Sequence, residues 1–277
     1  MRMPNALRRQ LLAAALALAA VSATAQTAAT QTFHLGIAPH TSARVILEMY
    51  QPLRAHLEKA LGTPVDVVTA PDFTEFAKRM LHQDYDLVVT TGHQARLAQT
   101  DADYIPMLTY AADFRAVALV AGNSKAKTAR DLLGKPVLGL SPTSLVTLWG
   151  QHWLKQNGNN ETIKYVSASD SVARLVLSGE AAAGFTSLAN YQSLSRDLQS
   201  QMRFLVISDP MAGRVYMLNK RQAARKDAID AALNTFAASP EGKAYFEKYK
   251  LEGYRKLKVK ELEQMEPYAK EVRASLQ

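Results

Sequence analysis

Five short polar runs are the places where this chain can do chemistry: Pro39-His40-Thr41-Ser42, Thr90-Thr91-Gly92-His93, Ser141-Pro142-Thr143-Ser144, Ser167-Ala168-Ser169-Asp170 and Thr186-Ser187. Each follows an apolar, β-rich run and precedes a helical one. Sheets built that way bind ligands beyond the carboxyl ends of their strands, where loops lead into helix N-termini. Hydroxyl donors, free backbone N–H groups and the positive helix end suit such a turn to an anion or a carboxylate. The same residue types are also ordinary helix caps. For Ser141, Thr143 and Ser144 the turn alone does not separate the two uses. Thr91 offers a short donor, Gly92 lets a ligand approach the backbone, and His93 either donates to an anion or caps its helix. Ser42 reads as a cap, which leaves His40 and Thr41 to face a ligand or solvent. Ser169 and Thr186 each offer one hydroxyl and, taken singly, read more readily as caps.

Catalysis finds no comparable pattern. The six histidines are scattered, none in an HExxH arrangement, and neither a GxSxG elbow nor a GxxxxGK[ST] phosphate loop occurs. Cysteine is absent, which removes thiol chemistry and a lipidated N-terminus. Asp86 opens a strand and does not read as half of an acid pair. Trp149 and Trp153, four apart on one helical face, are explained by packing. The expectation is a binder and not an enzyme, with no metal and no cofactor.

The elements that must position these turns alternate strand with helix. Phe33 to Ala38, Val65 to Ala70 and Asp86 to Thr90 read as strands. Helices fall between them over about 42–61 and, capped by Asp72, to about Leu81. Gly92 opens another helix. A second block repeats the pattern with strands over 114–122, 136–140, TIKYVS, AAGFTS, 202–208 and 214–219. Its helices are expected over 128–133, 144–156 and 169–177, and after Lys220 the chain turns helical to its end. This implies an α/β protein of two lobes, each a mainly parallel sheet flanked by helices, hinged by two crossing strands. The first lobe is expected over residues 26–113 and 214–277, the second over 114–213. Tyr110 and Arg115 then stand beside one crossing and Arg214 beside the other. An arginine there can clamp a carboxylate or phosphate bidentately or form an interlobe salt bridge. For Arg115 the salt bridge is the stronger reading.

The first 25 residues read as a cleavable export signal. Arg2, Arg8 and Arg9 precede the apolar run Leu11 to Val21, and Ala23-Thr24-Ala25 offers a peptidase site. That run is about half of the roughly 20 residues needed to span a bilayer. Removing the segment lowers the net charge from +8 to +5, since it holds three arginines and no acids. The remaining chain is mildly basic, compatible with anionic ligands. No basic tract interleaves with aromatics, so nucleic acid is not an expected partner. A monomer in the periplasm, neither lipidated nor membrane-inserted, is expected.

On FHLGIAPH, YQPLRAHLEKALGTPVDVV, DFTEFAKRMLHQDYDLVVTTGHQARLA and DLLGKPVLGLSPTS, the chain resembles the phosphate/phosphite/phosphonate-type substrate-binding proteins of ABC importers. The resemblance runs from about Phe33 to Met217. It implies the type 2 periplasmic binding protein fold, two α/β lobes closing on a ligand like a Venus flytrap. It also implies that Ser141, Thr143 and Ser144 form an anion-gripping loop and that Thr91, Gly92 and His93 meet the ligand from the first lobe. Three positions depart from the family pattern: Pro142 interrupts the loop, Ser169 stands where a ligand histidine is common, and EAAAGFTS lacks an acidic residue. The expected function is delivery of a small, phosphonate- or phosphate-like anion to an ABC transporter permease. The alternatives are presentation of the ligand state to a membrane sensor kinase, or binding of a metabolite other than a phosphonate.

Overall fold

In a computed structural model, which describes residues 31–166 and 169–277 (Ser169 and Asp170 by backbone alone), the strand–helix alternation folds into two sheets. The chain begins with β1 (Phe33–Ile37), α1 (Ala43–Leu61), β2 (Val65–Val68), α2 (Phe73–Leu81), β3 (Leu87–Thr91), α3 (Gly92–Asp101) and β4 (Tyr104–Tyr110). It crosses to β5 (Ala116–Ala121), β6 (Val137–Gly139), α4 (Leu145–Gln156), β7 (Lys164–Tyr165), α5 (Ser169–Leu177) and β8 (Ala183–Ser187). Two short helices, α6 (Leu188–Gln192) and α7 (Arg196–Ser200), lead into β9 (Met202–Ile207). The chain returns through β10 (Arg214–Asn219) to α8 (Lys226–Ala238), α9 (Pro240–Lys248), β11 (Tyr254–Arg255) and α10 (Glu266–Ser275).

The first sheet has the order β11-β4-β10-β3-β1-β2 and the second β7-β6-β8-β5-β9. Both are mixed, which corrects the expectation of mainly parallel sheets. Parallel pairing is confined to β1 with β2 and β3, and to β6 with β7 and β8. The strands next to the crossings, β4, β5, β9 and β10, pair antiparallel.

Local sequence explains most element boundaries. In α1 the buried residues Ile46, Met49, Tyr50, Leu53 and Leu57 recur at helical spacing, Ser42 Oγ caps the start, and Gly62 at φ 60° ends it. Asp72 caps α2 by accepting the Glu75 N–H at 2.9 Å. Strand β4, which contains Pro106, is not among the strands read from the sequence. Its pairing with β10 shifts register beside Pro106, so the missing N–H falls at a ladder irregularity. Only Lys164–Tyr165 of TIKYVS pairs, as a short edge strand, and residues 129–132 form one 3₁₀ turn where a helix was expected. Asp86 is buried because it accepts from the His34 N–H and from the Arg221 and Gln222 side chains, a structural use.

The first sheet is covered on one face by α1, α8 and α9 through residues such as Leu53, Leu57, Leu233 and Phe236. Phe76, Met80, Val88 and Ala98 fill the other face. In the second sheet Trp149 and Trp153 stack at 6.4 Å beside Phe185, while Ala173 and Val176 cover the opposite face. The crossings are tied together: Met211 N–H donates to the Phe114 carbonyl at 2.9 Å, and Arg115 donates to the Ser208 carbonyl at 2.9 Å. Arg115 also pairs with Asp113 at 3.6 Å. Helix α4 reaches past its own sheet, since Leu145 shares the core of Phe73 and Phe76, and Leu148 packs with Ala269 and Val272 of α10.

Candidate ligand-binding site

A cavity of about 940 Å³ opens beside the crossings and is lined from both sheets' loops, by Pro39 to Ser42, Phe73, Ser141, Asn190 and Arg214 among others. A smaller recess of about 50 Å³ lies next to it and shares His40, Phe73, Leu140, Ala189, Asn190 and Arg214. Thr91, Ser144 and Ser187 complete the polar part of that recess, and Phe114, Leu145 and Val146 its apolar wall.

Arg214 is the first residue of β10, held in register opposite Thr91. Its guanidinium donates to His40 Nε2 at 3.1 Å and lies 5.3 Å from the centre of the Tyr110 ring. Among the described residues it pairs with no carboxylate. A guanidinium keeps its charge at any working pH, so this half-buried cation is uncompensated. The tyrosines beneath it supply hydroxyls and ring faces, not charge. Tyr110 Oη lies 2.8 Å from Tyr216 Oη and 2.6 Å from Tyr245 Oη, and burial pushes all three phenols well above their ordinary pKa.

The state of His40 follows from its two bonds. Nδ1 faces the Ala38 carbonyl at 2.9 Å, which can only accept, so Nδ1 carries the proton. Nε2 is then the acceptor that takes the Arg214 N–H. Burial, and then the Arg214 charge, lower the His40 pKa to about 3. His40 is therefore a neutral brace for Arg214.

The serine and threonine turns divide into those that meet the cavity and those that build its walls. Ser141 lines the larger space, and its hydroxyl is buried with no hydrogen-bond partner among the described residues. Ser144 is the N-cap of α4 yet makes no side-chain cap bond; its hydroxyl donates to Thr147 Oγ1 at 2.8 Å. The Thr147 N–H donates to the Ser144 carbonyl at 3.1 Å, so in the first turn the Leu145 and Val146 amides are left for another acceptor. Thr41 and His40 line the larger cavity, and Thr91 the recess.

Thr143, His93, Gly92, Tyr110 and Thr186 line neither space. Thr143 is buried and its hydroxyl lies 3.0 Å from Thr74 Oγ1. His93 is fully buried: Nε2–H donates to the Thr143 carbonyl at 2.9 Å, so Nδ1 accepts from the Thr91 hydroxyl at 3.1 Å. A Cβ on Gly92 would lie 2.4 Å from Ala212 Cβ, so the glycine serves helix seating. Tyr110 lies under Arg214, and Thr186 accepts from Asn190 Nδ2 at 3.3 Å. The Ser169 side chain and residues 167 and 168 lie outside the described residues.

Sequence reasoning missed Phe73, Asn190 and the run Lys248-Tyr249-Lys250, all of which line the larger cavity. Asn190 sits inside α6, a helix too short to show periodicity. The lysine run belongs to the C-terminal helices and reaches the cavity only through the tertiary fold.

Residues 35–262 match the family described as ABC transporter, phosphonate, periplasmic substrate-binding protein. No curated protein sequence matches the chain. Among solved structures, PhnD1 from Prochlorococcus marinus in complex with methylphosphonate is similar with a TM-score of 0.77 at 15% identity, over 88% of this chain and 99% of that one. XAC2383 from Xanthomonas citri bound to ATP follows at 0.74 and 17%, over 89% and 99%. The periplasmic aliphatic sulphonate binding protein SsuA from Escherichia coli reaches 0.58 at 18%, over 88% and 79%. At these identities the likeness is one of fold: two α/β lobes of the periplasmic binding protein type. Among the described residues no helix is long and apolar enough to cross a membrane.

Proposed function

The chain belongs to the periplasmic phosphonate substrate-binding protein family of ABC transporters, and from that premise we propose that it captures a small phosphonate- or phosphate-like anion in its cleft and delivers it to an ABC importer. The observation that carries the reading is Arg214, a charged side chain on the cavity wall that pairs with no carboxylate among the described residues. An anion there supplies the missing counter-charge, and a tetrahedral oxyanion also accepts from neighbouring donors. Ser141 Oγ and the Leu145 and Val146 amides in the first turn of α4 are the neighbouring donors. Binding is by fixed donors without catalysis, because the one histidine against the cavity, His40, has both ring nitrogens engaged. Residues 26–113 with 214–277, and 114–213, are the two lobes that close on the ligand. Residues 1–25, which lie outside the described residues, act as the export signal, and the mature protein acts in the periplasm as a monomer.

Isothermal titration of the mature protein with methylphosphonate and with inorganic phosphate tests this. The wild type binds at least one of them, and Arg214→Gln weakens that binding by about 100-fold, the scale of losing one partner of a desolvated charge pair. Equal affinity in the variant, or no binding of either anion by the wild type, contradicts the reading.

A further inference from the structure

The larger cavity carries charge at two places. Arg214 stands on one wall, and Lys248 and Lys250 stand on the rim contributed by the end of α9. Neither lysine forms an ion pair among the described residues. Asp72 is the only carboxylate lining the same space among the described residues. Its Oδ1 is committed as the cap of α2, accepting the Glu75 N–H at 2.9 Å, so it already faces a positive helix end.

The backbone around Lys250 is fixed by its own hydrogen bonds. Helix α9 ends in a Schellman arrangement, with Lys250 N–H donating to the Glu247 carbonyl at 3.3 Å and Leu251 N–H to the Phe246 carbonyl at 2.9 Å. The residue between these bonds takes the left-handed conformation, and here it is Lys250 at φ 53°. Glycine is the usual occupant of that position, because a Cβ makes the conformation costly. Lys250 thus stands at the cavity rim, and Gln83, Asp103, Glu252 and Lys260 share its left-handed conformation elsewhere in the chain. The loop that follows is fixed to the crossing, since Ala112 N–H donates to the Leu251 carbonyl at 3.1 Å and Ala111 N–H to the Gly253 carbonyl at 2.9 Å. The rim cations are therefore mounted on the same frame as Arg214.

We infer that Lys248 and Lys250 form a second anionic subsite, so that the cleft selects organic phosphonates or phosphates whose far end carries another negative group and disfavours those ending in an ammonium. This rests on the proposed reading of Arg214 as the first anion site. A cavity of about 940 Å³ is large beside the neighbouring recess of about 50 Å³ and leaves room for such an arm. An ammonium in the same place faces two lysines, and the one carboxylate among the described lining residues, Asp72, is engaged at Oδ1 as a helix cap.

Three ligands that share a two-carbon arm separate the possibilities: ethylphosphonate, 2-aminoethylphosphonate and 3-phosphonopropionate, titrated calorimetrically into the mature protein at low ionic strength. The expected order of affinity is 3-phosphonopropionate, then ethylphosphonate, then 2-aminoethylphosphonate. The ratio between first and last is expected to fall by about tenfold in a Lys248→Gln/Lys250→Gly variant. Glycine at position 250 suits the left-handed backbone, so the variant keeps the helix ending. If 2-aminoethylphosphonate binds as tightly as 3-phosphonopropionate, the second subsite is wrong while the anion site at Arg214 stands. A preference that survives unchanged in the variant overturns the assignment to the lysines. Failure of all three ligands, together with phosphate, sinks the reading of the cleft itself.

Discussion

Two histidines, the half-buried His40 and the buried His93, make hydrogen bonds that only the neutral ring can make, each donating from one nitrogen and accepting at the other. His93 joins Thr91, at the end of a first-sheet strand, to the Thr143 carbonyl in the turn before α4. Burial lowers its pKa to about 4, against an ordinary value of 6.5 in the unfolded chain. Between these values the unfolded chain binds the extra proton and the folded one does not. The stability tied to His93 is therefore fully present above pH 6.5 and is lost as the pH falls towards 4. Between pH 7 and pH 5 the loss amounts to about 2 kcal/mol. Urea unfolding of the wild type and His93→Gln at both pH values measures it. The wild type is the more stable at pH 7, and the gap narrows by roughly that amount at pH 5. Parallel behaviour of the two proteins shows that the ring is not held neutral. At this scale the sequence was only half legible. Ser141 and Thr91 stand at strand-to-helix turns and Arg214 beside a crossing, positions that the sequence pattern displays. That Thr143 and His93 bond each other across 50 positions was not legible, because a serine- or threonine-rich turn looks the same whether it meets a ligand or a neighbouring helix.

Helices α3 and α4 set the cleft by how their N-termini are seated. Helix α3 begins at Gly92 because its backbone passes against the returning crossing, with Ala212 Cβ and the Ala212 carbonyl oxygen 2.4 and 2.6 Å from where a Cβ would stand. Gly92→Ala therefore forces apart α3 and the segment that leads into Arg214. A loss of about 1–3 kcal/mol is expected from this overpacking, with weaker anion binding beyond the loss of fold. Chemical denaturation and titration of the folded fraction check both; a variant of native stability shows that the crossing yields freely. The elements themselves were largely legible. Apolar residues at helical spacing marked α1, and glycine and aspartate marked its end and the start of α2. Strand β4 was hidden by Pro106, and the rim lysines by their place in a charged helical tail, where nothing in the local pattern separates a cavity residue from a solvated one.

On the scale of the whole molecule, two sheets and their crossings bring together residues as far apart in sequence as His40 and Arg214, 174 positions, in one hydrogen bond. The two-lobed α/β architecture was legible as two blocks of strand–helix repetition joined by extended segments. The mixed direction of the sheets was not, because strand direction depends on how the chain re-enters a sheet and leaves no mark in composition. The tie between α4 and α10, through Leu148 with Ala269 and Val272 and through His152 with Tyr268 and Glu271, was equally hidden. It matters because α4 carries Ser144 and the amides offered to the ligand. The central claim is that an anion is held against Arg214 at the start of α4. A crystal structure of the mature protein grown with methylphosphonate tests it most directly. The account predicts phosphonate oxygens within hydrogen-bond distance, about 3 Å, of the Arg214 guanidinium and of Ser141 Oγ or the first-turn amides of α4. A phosphonate bound elsewhere, with the Arg214 guanidinium still facing His40, Tyr110 and Met49 and no anion, would contradict it.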